Sequence, residues 1–145
     1  MKTRIKWIDG VSFSGESGSG HALVMDGAPD NGGRNIGMRP METLLAGAAA
    51  CTAFDVVTIL KKGRHPVSDL AVTVEAKRAE TPPRVFIALH YVYTVAGRGL
   101  DRKHVERAVK LSKEKYCSAT IMLAKTAAIT YDIIVVEGDR VPDAA

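Results

Sequence analysis

Two thiols are the residues in this chain best equipped for chemistry. Cys51 sits in AGAAACTAFD (residues 46–55), among alanines. Cys117 sits in SKEKYCSATIML (residues 112–123), where a charged stretch gives way to an apolar one. A thiolate is a nucleophile and a redox group, yet a free cysteine serves equally well as a small buried apolar side chain. The two do not form a CxxC motif. The histidines, His21, His65, His90 and His104, are scattered without metal-ligand spacing. In a reducing compartment such a pair is two unrelated buried thiols or a transient redox pair, not a permanent structural disulfide.

Reactivity asks for more than a thiol. Burial in apolar surroundings raises a thiol's pKa, and Asp55, one helical turn from Cys51, pushes the same way if ionised and unpaired. A reactive Cys51 therefore needs a cation or a hydrogen-bond donor from elsewhere in the fold. Arg34 and Arg39, shortly before the Cys51 segment, are the candidates; the alternative for both is a solvated loop charge.

The element that positions Cys51 is expected to be a helix from Pro40 to Lys62. Proline suits the first helical turn, where its missing N–H costs no bond. Glu42 suits the positive N-terminal end, Lys61 and Lys62 suit the negative C-terminal end, and Gly63 suits the cap. The middle is apolar all round, the pattern of a helix buried on most sides. Leu44, Gly47, Ala48 and Asp55 share a face with Cys51. The small residues on it let another backbone come close, including that of a second copy of the helix.

Around this helix the sequence predicts an α+β domain. Residues 2–26 read as two or three short strands, and residues 27–37, dense in Gly, Asp, Asn and Pro, as a surface loop. Residues 70–80 and 84–97 alternate and are separated by Thr81-Pro82-Pro83, so they form an antiparallel hairpin. Asp101 caps a helix running to about Tyr116, and a second helical piece over residues 118–127 continues it after a bend near Cys117. Residues 129–137 form a last strand, and residues 138–145 fray.

Bulk properties narrow the class. With 145 residues, 46% hydrophobic and 25% charged, the chain reads as a single globular domain over residues 1–145 with a real core. The net charge of +4 is a mild excess, spread in mixed-sign runs such as RKHVERAVKLSKEK, with no aromatic-plus-basic platform for nucleic acid. MKTRIKWIDG has no apolar segment after its charges, so no signal peptide is expected. The charge-free run TLLAGAAACTAF ends at Asp55, too short for a membrane span. A cytoplasmic setting is the expectation.

Read together, two segments become specific. GMRPMETLLAGAAACTAFDVVTILKKG, with a proline eleven positions before the cysteine, resembles the central-helix signature of the OsmC/Ohr family. These are the osmotically inducible and organic hydroperoxide resistance proteins. VERAVKLSKEKYCSATIMLAKTAAITYDI resembles the second family motif, and DVV-x-IL-x-KGR (residues 55–64) places the match in the OsmC-like branch. The resemblance covers nearly the whole chain.

It implies antiparallel sheets wrapped around a long central helix, in an intertwined homodimer with active sites at the interface. It also implies a two-cysteine thiol peroxidase. Cys51 would attack an organic hydroperoxide and become a sulfenic acid. Cys117 would resolve it as a Cys51–Cys117 disulfide, and a dithiol, in the family often a lipoyl protein, would reduce that disulfide. No metal or other cofactor takes part.

In hydroperoxide-resistance members a glutamate follows the proline and pairs with an arginine that activates the first cysteine. Here that position is Met41. Glu42, nine positions from Cys51, lies about 180° round an ideal helix and does not substitute. Met41, Arg39 and Asp55 are thus the candidate substrate-binding or activating residues. Stress-defence peroxidase is one reading. A redox sensor or a binder of small apolar ligands on the same fold is the second, and a dimeric structural protein whose cysteines only pack is the third.

Overall fold

The structure is a computed structural model that describes residues 1–143. It divides into two compact units, Met1–Ala46 and the remainder from Gly47. In the first unit, alternating residues form β1 (Thr3–Asp9), β2 (Ser12–Ser17) and β3 (Ala22–Met25), an antiparallel sheet in that order. The loop that follows holds a single 3-10 turn at Pro29–Asn31.

Asp26 organises that loop. Its Oδ1 accepts from the Ser12 hydroxyl at 2.9 Å and from the Gly27 N–H at 2.9 Å. Its Oδ2 accepts from the N–H groups of Arg34 at 2.8 Å and Ile36 at 3.2 Å. Burial pushes this carboxyl up, but the combined hydrogen bonds from Arg34, Ser12, Ile36 and Gly27 outweigh it and hold the pKa at about 2.

The helix α1 (Pro40–Lys62) has the expected bounds. Arg39 precedes it as N-cap, its carbonyl taking the first helical hydrogen bond from Thr43 N–H at 2.9 Å. The Glu42 carboxylate reaches back to the Arg39 N–H at 3.0 Å, half of a capping box.

The expected burial of α1 on most sides is not what the chain provides. Ala48, Ala49, Thr52, Val56 and Leu60 are buried, but Phe54 is 72% exposed and Leu44 48%. A Cβ built on Gly47 would meet no atom within 4 Å beyond its own stretch of helix, so nothing among the described residues uses the close approach that glycine permits. By length and composition alone α1 also meets the measure of a membrane-crossing helix, as core helices of soluble proteins do.

In the second unit, β4 (Asp69–Arg78) and β5 (Phe86–Ala96) pair antiparallel, as the hairpin reading requires. The last strand, β6 (Ala128–Val136), pairs with β5 in parallel, so this sheet is mixed rather than antiparallel throughout. The reason is the connection: a parallel neighbour needs a long crossover, and the helices between β5 and β6 supply it. They are α2 (Arg102–Leu111) and α3 (Ser118–Leu123). Asp101 caps α2 by accepting from Lys103 N–H at 2.8 Å, and Val105, Ala108 and Val109 form its buried face.

The helix does not continue regularly to Tyr116. Ser112–Tyr116 is a π-turn, closed by the Cys117 N–H donating to the Ser112 carbonyl at 2.8 Å. The tail is not frayed over residues 138–141. Arg98 grips Asp139 through two bonds of 2.9 and 2.7 Å, and Val141 N–H donates to Asp69 at 2.9 Å. The end of the segment expected to fray, Ala144 and Ala145, lies outside the described residues.

Candidate active site

The two thiols meet inside the second unit. Cys51, on α1, is partly exposed, and Cys117 is fully buried. Cys51 is close enough to Cys117 for its sulfur to act on the Cys117 thiol, and both are free thiols. Cys117 is the N-cap of α3, with sulfur in the place where oxygen usually serves. Its Sγ accepts from Thr120 N–H at 3.4 Å and lies 3.1 Å from Thr120 Oγ1. Burial pushes the Cys117 thiol up. Thr120's hydroxyl and N–H pull it down, and the neighbouring Cys51 sulfur pushes it up again. The balance is a raised pKa, so Cys117 holds its proton.

A buried run of hydroxyls stands beside this pair. Tyr93 Oη is 2.8 Å from Thr52 Oγ1, Thr52 Oγ1 is 2.9 Å from Ser112 Oγ, and Ser112 Oγ donates to Asp55 Oδ2 at 2.9 Å. Asp55 therefore ends a chain of neutral donors. The cation sought for it, or for Cys51, is not among its partners. Lys113, in the same π-turn, lies over the Tyr131 ring, 3.8 Å from its centroid. Burial pushes the Tyr93 phenol well above its ordinary value, so it stays protonated as a donor to Thr52.

Of the other candidates, Arg39 has its guanidinium 3.0 Å from Glu42, the same carboxylate that caps α1. The backbone N–H of Arg39 and its charge together keep the Glu42 carboxyl below its usual range. Arg34 lies 3.7 Å from Asp9 and donates to Ser12 at 3.4 Å. Met41 occupies the first turn of α1, half-buried. Both arginines thus have carboxylate partners in the first unit.

Sequence reasoning missed Thr52, Ser112, Tyr91, Tyr93 and Thr120. One signal was there to use. Thr52 and Ser112 are polar residues set among apolar helix positions, and Tyr91 and Tyr93 alternate onto one face of β5. A cavity of about 420 Å³ lies C-terminal to Cys51 along α1, lined by Phe54, Asp55, Thr58, Ile59, Lys62, Leu111 and Tyr116; neither cysteine lines it. Phe54, Asp55 and Thr58 are three, four and seven positions from Cys51, so this cavity follows the Cys51 face of α1.

The family model described as OsmC-like protein matches residues 31–132. The chain belongs to the OsmC-like family. Protein YhfA of Escherichia coli K12 is 46% identical to it over 136 residues, covering 94% of this chain and 98% of that protein. Among solved structures, a hypothetical protein from Aquifex aeolicus VF5 is 28% identical with a TM-score of 0.83, covering 94% of this chain and 96% of the other.

An organic hydroperoxide resistance protein OsmC from Legionella pneumophila is similar in fold. Its TM-score is 0.69 at 20% identity, over 93% of this chain and 98% of that one. The α+β OsmC-like architecture is therefore shared across relatives. Some are named for hydroperoxide resistance, while the 46%-identical YhfA carries no activity in its name.

Proposed function

We propose that this OsmC-like protein is a two-cysteine thiol peroxidase for organic hydroperoxides, acting in oxidative or osmotic stress defence. The observation that carries the reading is the meeting of a partly exposed Cys51 with a buried, protonated Cys117. The Cys51 thiolate attacks the terminal oxygen of the hydroperoxide. An S–O bond forms and the O–O bond breaks. The alkoxide leaves and takes a proton from water, and the sulfur loses two electrons. Cys117 sulfur then attacks the sulfenic acid. The S–S bond forms, the S–O bond breaks, and hydroxide departs as water with the Cys117 proton. A dithiol reductant, such as a lipoyl protein, restores both thiols by exchange and is itself oxidised to a disulfide.

The cavity that begins one turn beyond Cys51 on α1 supports an organic substrate, because its Phe54, Ile59 and Leu111 gain from burying an apolar group. The open sides of α1, with Phe54 and Leu44 exposed and Gly47 unpacked, support a homodimer that covers this helix with a second copy. We place the protein in the cytoplasm, where dithiol reductants are present. The test is direct. Purified protein with dihydrolipoamide is expected to consume cumene hydroperoxide over many turnovers, and Cys51→Ser is expected to abolish that. Equal consumption by the two proteins defeats the reading.

A second reading rests on Met41 and on the use of Glu42 as a capping residue. With no carboxylate at the family's activating position, the same thiol pair would serve as a redox sensor or small-ligand binder without efficient turnover. One rapid oxidation event per chain, followed by slow reduction under excess dithiol, distinguishes it from the peroxidase.

A further inference from the structure

β5 sends Tyr91 and Tyr93 to the same side, two residues apart, with ring centroids 6.2 Å from each other. Both side chains are fully buried. Their hydroxyls differ in one respect. Tyr93 Oη bonds Thr52 at 2.8 Å. Tyr91 Oη has no hydrogen-bond partner, the one buried side-chain polar atom among the described residues left in that condition. Thr120 is its nearest polar neighbour, and the Cys117 and Cys51 sulfurs are near enough to act on it electrostatically. The Thr120 hydroxyl is turned to Cys117 Sγ at 3.1 Å rather than closing a well-formed bond to the phenol.

Packing gives no reason for this oxygen. Phenylalanine fills the same space without burying an unsatisfied polar group, so the hydroxyl destabilises the resting fold. Beside two thiols, it is useful to a group that arrives there. A hydroperoxide brings two acceptor oxygens to that spot, and its leaving oxygen gains negative charge as the O–O bond breaks. A buried phenol is a neutral donor, held protonated by its surroundings.

The geometry points to Tyr91 as a catalytic residue: its hydroxyl donates a hydrogen bond to the leaving oxygen of the hydroperoxide while Cys51 attacks the terminal oxygen. This rests on the peroxidase reading above. The phenol keeps its proton. The S–O bond forms, the O–O bond breaks, and the alkoxide, stabilised by Tyr91, takes its proton from water and leaves as alcohol. Tyr91 thus serves the developing oxyanion from the sheet side of the site, independently of the residue at Met41.

The experiment compares wild type with Tyr91→Phe in single-turnover oxidation, following Cys51–Cys117 bridging by mass. Two oxidants are used: cumene hydroperoxide, and diamide, which oxidises thiols without a leaving oxygen. The variant is expected to react about 10²-fold more slowly with the peroxide, the loss seen when one oxyanion donor is removed. Its diamide rate and thermal midpoint are expected to equal or exceed those of wild type. An unchanged peroxide rate in the variant, with an active wild type, overturns the Tyr91 assignment alone. Equal slowing with both oxidants marks a structural role and also overturns it. A wild type inert to peroxide but bridged by diamide overturns the peroxidase reading and this inference with it.

Discussion

Thr52 Oγ1 stands 2.8 Å from Tyr93 Oη and 2.9 Å from Ser112 Oγ, so one hydroxyl of α1 joins the strand β5 to the turn that delivers Cys117. All three residues are buried. The link matters because Cys117 leaves the π-turn directly after it, and its position opposite Cys51 depends on that turn holding its shape.

Thr52→Val keeps the shape of the side chain and removes the shared hydroxyl. Two buried partners, Tyr93 Oη and Ser112 Oγ, lose a bond, and Ser112 keeps only Asp55. The expected loss of stability is about 1–3 kcal/mol. Urea denaturation of the reduced protein measures it. The variant is also expected to form the Cys51–Cys117 bridge more slowly, because the π-turn is less firmly held. Unchanged stability would show that the three hydroxyls are not coupled.

The parts of this fold that were legible from sequence are those whose signals are local. The bounds of α1 follow from Pro40, Glu42 and the lysines at 61 and 62, all acting within one turn of an end. Asp101 caps α2 for the same kind of reason. The π-turn at Ser112–Tyr116 leaves no local mark, because an i→i−5 bond and an i→i−4 bond suit the same residue types. The parallel pairing of β6 is set by the crossover, not by its own alternation. At the site, the two cysteines were legible through their family positions. The hydroxyl run was not, since Thr52 and Ser112 are 60 residues apart, and a polar residue on each apolar helix face does not say which hydroxyl it meets. Its helical angle turns Glu42 away from Cys51, and in the structure Glu42 caps α1 and holds Arg39.

Cys117→Ser removes the resolving thiol and leaves the partly exposed Cys51 in place. Under the proposed cycle, one equivalent of cumene hydroperoxide converts this variant to a stable sulfenic acid. Dimedone then adds to it, giving a mass increment on the peptide containing Cys51. In wild type the same treatment gives the bridged species and little adduct. A variant that resists both peroxide and dimedone means Cys51 is not the thiol that meets the oxidant.

Asp26 predicts an acid limit for the first unit. Its folded pKa of about 2 lies below the ordinary carboxyl value of 3.8, so folding favours the ionised form. That contribution is fully present above the unfolded value and is lost as pH falls from about 4 toward 2. Asp26→Asn cannot ionise and cannot accept at both oxygens from Ser12, Gly27, Arg34 and Ile36. It is expected to be less stable at neutral pH and to show a flatter stability profile between pH 4 and pH 2. Thermal melts across that window test it, and parallel profiles for the two proteins contradict the role given to Asp26.

Thr120 predicts where the second chemical step is limited. Its hydroxyl, 3.1 Å from Cys117 Sγ, pulls the thiol pKa down against the burial that pushes it up. Thr120→Val deletes that pull and retains the backbone N–H bond of 3.4 Å. A thiolate with one donor fewer is harder to form, so the Cys117 pKa rises further. The rising limb of the pH–rate profile for disulfide closure then moves to higher pH. A hydrogen bond to a charged group is worth about 1.5–3 kcal/mol, so closure near neutral pH is expected to slow by about tenfold or more. Raising the pH restores it. The first step, read as sulfenic acid formation in the Cys117→Ser background, is expected to be unaffected by the change. Stopped-flow pH profiles of both steps make the comparison, and a closure rate that falls equally at every pH assigns Thr120 to the packing of α3 instead.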